Sequence, residues 1–272
     1  MLSPDMNEDR NQQKSIPAKT HLVPCRSLKA GAAFGWLRAG WVDFKNAKGI
    51  SLVYGLFVFL VSIFVAFLAW KLGGFVLLFS ALSGFVFVAP MLAFGLYSVS
   101  RQLCEGKTPD LAHTIKAIKR PLGNSMVFTL VLLVIFLLWA RAGMMVQVFF
   151  PLGGEPEWRH IMSFLLIGSA VGSVFAVFSF AASVFSLPML ANRDIDVITA
   201  VISSINGVLR NKPALFVWAL LICLLTLLGF VTAGIGLIFI IPWLAYATWH
   251  GYRAALDVSE WSILPEADSD QV

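Results

Sequence analysis

The side chains in this chain best suited to chemistry are few and scattered. Four histidines (His21, His113, His160, His250) and three cysteines (Cys25, Cys104, Cys223) make up the soft-ligand inventory. They are not clustered, and no cysteine stands in a C-x-x-C pair, so neither a zinc site nor a disulfide framework is implied. Reduced thiols are expected, with Cys223 as a small packing residue. No glycine-rich phosphate loop opens a helix. The expected cofactor set is therefore empty (no haem, flavin or metal), and no catalytic residue is assigned. Arg141, after the run Met126–Ala140, is the one charge near the middle of an apolar stretch. The favoured reading is that it snorkels to the outer interface, and the lesser one is an anion contact with Gln147 beside it. His250, with Trp249 and Tyr252, falls where an inner aromatic belt is expected; a ligand role is the lesser reading there.

Six apolar stretches must position these residues: Ile50–Trp70, Phe75–Ser98, Met126–Val146, Met162–Met189, Ala214–Ala233 and Leu237–Ala255. Each is near or above the ~20 residues that cross a bilayer core as helix, and acidic residues are absent from all of them. Hydrophobic residues make up 58% of the chain, charged residues 13%, and the mean hydropathy is +0.82. A soluble domain has roughly half its residues apolar and about a quarter charged. The chain reads as an all-α polytopic membrane protein of six transmembrane helices. Expected boundaries are a disordered cytoplasmic tail over 1–26, a six-helix domain over 27–256 and an acidic cytoplasmic tail over 257–272. The polar opening Met1–Lys19 lacks the apolar core of a cleavable signal, so the first span should act as an uncleaved anchor.

Of the 20 Lys and Arg, all but Lys71, Arg141 and Arg159 fall in the N-terminal segment, the even-to-odd loops or the C-terminal end. That asymmetry puts both termini in the cytoplasm. The net charge of +5 is read as a basic face toward anionic headgroups, not as a nucleic-acid surface. The expected partners are lipid and, beyond it, another membrane protein or a second copy of the chain.

An internal repeat runs through the spans. The three prolines inside them share the tetrad P-x-L-A, beginning at Pro90, Pro188 and Pro242, near the cytoplasmic ends of spans two, four and six. Arginine follows eleven residues after the first and third (Arg101, Arg253), but five after the second (Arg193). Kinks are expected at all three prolines, splaying that end of the bundle. Ahead of each odd span lies an amphipathic helix. The first has Ser27 as N-cap and a Phe34/Leu37/Trp41/Phe44 stripe. The second has Thr108 as N-cap, Pro109 at its first position and a Leu111/Ile115/Ile118 stripe, with Lys116, Lys119 and Arg120 crowding its end. The third opens at Asp194 with a stripe of Ile195, Ile198, Ile202, Ile205 and Leu209. The first two should face lipid headgroups. For the third, lipid and protein contact stand equal.

Gly168, Gly172 and Ala176, four apart in span four, form a small-residue stripe expected to be an interior packing seam. Gly234 and Gly236 supply the turn between spans five and six, and Gly229 should loosen the helix end before it.

The segment Phe34–Phe44 (FGWLRAGWVDF), the Ala89–Leu92 and Leu187–Leu190 tetrads and the Arg193–Asp196 opening resemble an uncharacterised family of bacterial six-span inner-membrane proteins. The likeness covers roughly residues 28–256. It implies a fold and an inner-membrane address. Members are sometimes labelled cytochrome c oxidase subunits, but a haem-copper catalytic subunit needs several intramembrane histidines. Three of the four here lie in tails or loops, so a cofactor-free accessory subunit is the most that label could mean. The favoured function is a non-catalytic scaffold, assembly or lipid-organising element. The alternatives are a transporter or channel for a neutral or lipid-like solute and that accessory role.

Overall fold

The computed structural model describes residues 22–72, 92–119, 122–149 and 158–264, and these residues are overwhelmingly helical. In chain order the helices are α1 (Ala32–Asn46), α2 (Lys48–Leu72), α3 (92–104), α4 (Leu111–Lys119), α5 (Leu122–Phe149), α6 (Trp158–Ser183), α7 (Ser186–Asn192), α8 (Val197–Arg210), α9 (Lys212–Val231) and α10 (Leu237–Ala255). Among them, four segments are long and apolar enough to cross a membrane: Lys48–Val65, Met126–Met145, Leu166–Asn192 and Lys212–Val231. They coincide with expected spans one, three, four and five. Most of the second expected span, Pro90 included, lies outside the described residues. The sixth is present as α10, but its second half carries His250, Tyr252 and Arg253 and is too polar to rank with the other four.

α10 is instead the central post. Tyr246, Ala247, Trp249, Tyr252 and Ala255 are fully enclosed, and α1, α2 and α9 lie against it. Glycines make this possible. A Cβ on Gly40 of α1 would come within 2.6 Å of the Ala247 backbone nitrogen, and one on Gly251 would press on the Trp36 ring. Trp36 in turn meets Trp218 of α9 edge-on, centroids 5.7 Å apart. Where α2 crosses α10, a Cβ on Gly55 would overlap the Ile238 carbonyl. That carbonyl is the one Pro242 leaves without an i+4 donor. Gly55 can offer it a weak Cα–H contact, and α10 runs on unbroken through Pro242.

Pro188 has a different consequence. The fourth span is not one helix: α6 stops at Ser183, Val184 and Phe185 turn, and α7 restarts at Ser186. Pro188 itself deprives only the Val184 carbonyl of its i+4 donor; one turn ahead of it, the Phe185 N–H and Ala181 O also fail to meet each other. α8 answers with side chains, as Ser204 Oγ accepts the Phe185 N–H at 3.1 Å and donates to Ala181 O at 2.7 Å. A helix break inside a membrane persists only where neighbours satisfy it in this way.

The folded unit extends past both expected boundaries, 27 and 256. Val23 is buried and donates its N–H to Ser203 Oγ at 3.0 Å, and Arg26 N–H donates to Ala255 O at 2.8 Å. Asn211 clasps the same stretch, accepting from Leu28 N–H at 2.8 Å and donating to Arg26 O at 3.0 Å. At the other end, Asp194 N–H binds Ser262 O, Leu264 N–H binds Asn192 O, and Arg193 donates to Trp261 O at 2.6 Å. Residues 26 and 28 are tied to Ala255 and Asn211, and α1 begins only after Gly31, so Ser27 is not its cap. The second surface helix is likewise capped later than expected, by Asp110, which accepts from His113 N–H at 3.1 Å. The third begins at Val197, with Asp196 as its cap.

The turn from α9 to α10 uses Ala233 (φ 53°) and Gly234 (φ 85°), with Gly234 N–H returning to Gly229 O at 3.1 Å. Gly229 does not loosen that end. It is buried, and a Cβ there would strike Leu237.

Candidate functional site

Four helices bring their polar side chains to one buried place. On α1, Ala33, Trp36, Gly40 and Asp43 share the face turned inward, so the close approach at Gly40 carries Asp43 into the protein, where it is only 7% exposed. An isolated buried carboxylate is costly, and this one is matched. Its Oδ2 accepts Ser100 Oγ of α3 at 2.7 Å and lies 2.9 Å from His250 Nε2 of α10. The imidazole holds its hydrogen on Nε2 in that bond, whether neutral or protonated.

One turn back along α10, Tyr246 Oη lies 2.8 Å from Ser51 Oγ of α2. Ser51 donates to Ala47 O at 2.8 Å, so Tyr246 is the donor between the two hydroxyls. One turn further along α2, Tyr54 Oη is buried without a partner, against Gly95 of α3. A second cluster continues from α3. Gln102 Nε2 lies 3.3 Å from Ser98 O, its Oε1 accepts Asp110 N–H at 3.2 Å, and Thr114 Oγ1 is 3.5 Å away. Arg101 is 7% exposed with Nε unpartnered. Its nearest carboxylate, Glu105, stands at 3.9 Å and pairs more closely with Lys107 at 3.0 Å.

Ser100 and His250 both engage the same carboxylate oxygen, and the serine hydroxyl is spent on the aspartate. Ser-His-Asp nucleophilic catalysis needs the serine on the imidazole instead. The arrangement is a clamp joining α1, α3 and α10. Among the described residues, no group of three or more His, Cys, Asp or Glu could hold a metal ion.

The residues singled out from the sequence lie elsewhere. Pro188 stands one turn after the α6–α7 break and Pro242 inside α10, while Pro90 is outside the described residues. Among the described residues nothing packs closely on the Gly168/Gly172/Ala176 stripe: a Cβ on Gly168 would meet nothing within 4 Å, Gly172 stands at ordinary distance (3.6 Å) from Trp139 of α5, and Ala176 is exposed. Among the described residues, close approaches include those at Gly40, Gly55, Gly95, Gly207 and Gly251, where another backbone or a large ring comes to meet the glycine, and at Gly229, where the Leu237 side chain does. Lys116 is exposed; the Lys119 side chain and Arg120 lie outside the described residues. Arg141 is exposed near the end of α5.

The expected stripes divide between exposed and buried members. On α1, Phe34 faces outward, Phe44 is buried, and Trp41, partly exposed, stacks on Phe44 and meets Trp243 of α10; the smaller face gives the closer crossing. On α8, Ile195, just before the helix, is buried, but Ile198, Ile202 and Leu209 point out. The inward face is Val197, Thr199, Ala200, Ser203, Ser204 and Gly207.

Asp43 and His250 were missed as a pair because 207 residues separate them. The available signal was the small-residue face Ala33/Gly40/Ala47 on α1, which shares its side with Asp43.

Residues 77–192 match the family described as "Predicted integral membrane protein (DUF2189)", which supports an uncharacterised membrane-protein family for this chain. No curated protein and no solved structure matches.

Proposed function

We propose that this protein is a six-span inner-membrane protein of bacterial type, both termini cytoplasmic, that serves as a non-catalytic element for assembling other membrane components. The observation that carries this reading is the Asp43–Ser100–His250 clamp. At this clamp the three polar side chains are committed to one another, as suits a rigid support more than a site awaiting substrate. The orientation is supported by the distribution of basic residues. The three-hairpin repeat is supported by the P-x-L-A tetrads and by the adjacency of α5 with α6 and α9 with α10. In this reading Lys116, Lys119 and Arg120 meet anionic headgroups.

Topology is tested by labelling intact cells with an impermeant thiol reagent. With Cys25 and Cys223 replaced by Ser, native Cys104 should stay unlabelled. In a chain lacking all three cysteines, Trp158→Cys should react. Labelling of Cys104 from outside overturns the orientation. The assembling role is tested by crosslinking in native membranes: recurrent membrane-protein partners at fixed stoichiometry are expected. A chain that stays alone yet carries a neutral solute across proteoliposomes would replace assembly with transport.

A further inference from the structure

The surface helix α8 is built inside out for a water-facing helix. Its inward face is rich in hydroxyls that serve the protein: Ser203 Oγ accepts Val23 N–H, Ser204 Oγ bonds Phe185 N–H and Ala181 O, and the Thr199 side chain bonds the Asp196 carboxylate, which also takes the Thr199 N–H at 2.9 Å. Its outward face is apolar, with Ile198 71%, Ile202 46% and Leu209 59% exposed. In water this is the wrong way round, since burial of the apolar face is what ordinarily holds an amphipathic helix in place.

The chain's connections say what covers that face. The crossing segment Leu166–Asn192 ends four residues before α8 begins, and the crossing segment Lys212–Val231 starts one residue after it ends. A helix of 14 residues, roughly 21 Å long, is therefore tied at both ends to the same membrane surface. Arg210 and Lys212 are exposed at the handover to α9, a basic pair suited to lipid phosphates, and the apolar exposure continues onto α9 at Phe216 and Leu220.

We infer that α8 is an interfacial helix whose Ile198/Ile202/Leu209 face is embedded in the headgroup–acyl boundary of the bilayer. Such a helix buries its apolar side several ångströms into that boundary. It then acts as a float between two spans, fixing the height at which the α6–α7 break and the buried clamps sit. This inference requires only that α6–α7 and α9 cross the membrane, and it stands or falls independently of the assembling role.

The test uses the full-length chain in nanodiscs of phosphatidylcholine and phosphatidylglycerol, with native cysteines replaced. Single nitroxide labels are placed at Ile198→Cys, Ile202→Cys and Leu209→Cys, with Leu224→Cys on α9 as the lipid reference and Glu260→Cys as the water reference. Collision rates with oxygen and with a soluble nickel chelate are compared. At 198, 202 and 209, oxygen should exceed nickel several-fold, as at 224. Nickel-dominated collisions, as at 260, would put α8 in water and overturn the inference. Shielding from both agents would mean that a protein covers the face, and would overturn it equally. All five positions are exposed, so the variants should retain the wild-type melting temperature, and any that does not is replaced by its neighbour one turn along.

Discussion

The crossing of α1 over α10 and the α5–α6 hairpin are made of similar residues and behave oppositely. Both set glycine and alanine among large apolar residues, although α1 also carries Arg38, Asp43 and Lys45. At the crossing, Gly40 lies so close to Ala247 that no side chain fits, and two tryptophans fill the space around it. On α6, Gly168 faces open space, and Val174, Val177 and Phe178 are exposed. A glycine marks close packing only where another backbone or ring arrives to use it. In a membrane this matters more than in water, because lipid is as apolar as leucine and only close, shape-matched contact favours helix over lipid.

The sharpest way to break this comparison is to remove the charge that the crossing brings inside. Asp43→Ala strips Ser100 and His250 of their shared acceptor, and loss of one partner from a buried pair costs about 4 kcal/mol. The thermal midpoint in detergent should fall steeply. Ser173→Ala on the hairpin, whose hydroxyl only returns to Ala170 O, should leave it within error. Equal effects would end the distinction.

Next comes Gly40→Leu, which forces side-chain atoms onto the Ala247 backbone and should cost about 3 kcal/mol. Gly168→Leu should change stability by less than about 0.5 kcal/mol. Both are read by unfolding in matched detergent, and a destabilised Gly168 variant would show that the stripe has a partner after all.

A smaller effect lies at the junction of the two regions. Ser204→Ala leaves the Phe185 N–H buried and unanswered, a loss of about 2 kcal/mol. Amide exchange should rise at residues 184–186 and not on α10.

The smallest concerns the cap of α8. Asp196→Ala should cost about 1 kcal/mol. Burial raises the Asp196 pKa, but hydrogen bonds from Thr199 and neighbouring backbone outweigh that and hold it below the usual carboxylate value. A depressed folded pKa gives stability that is present above the unfolded pKa and lost as pH falls through the folded one. The gap between wild type and variant should thus be full near neutral pH and close in acid. A gap that persists in acid would assign the cost to something other than the charged cap.

Membrane class, the four spans long and apolar enough to cross a membrane and the helical ends of α2, α5, α9 and α10 to within a few residues were legible in the sequence. Their cause is local: backbone polar groups in lipid must be satisfied within the helix, so a long apolar run has few alternatives. The candidate site was not legible in that way. Asp43 looked like one charge among several on a surface helix, and His250 like part of an aromatic belt. Likewise, periodicity announced the stripe of α8 but left its direction open, and on α1 it did not separate the exposed Phe34 from the buried Phe44. Period gives the angle between residues on a helix and nothing about its rotation toward a neighbour. That rotation was decided by tertiary packing. On α1, small residues allowed the closer crossing, and on α8, hydroxyls were needed to complete the backbone broken ahead of Pro188.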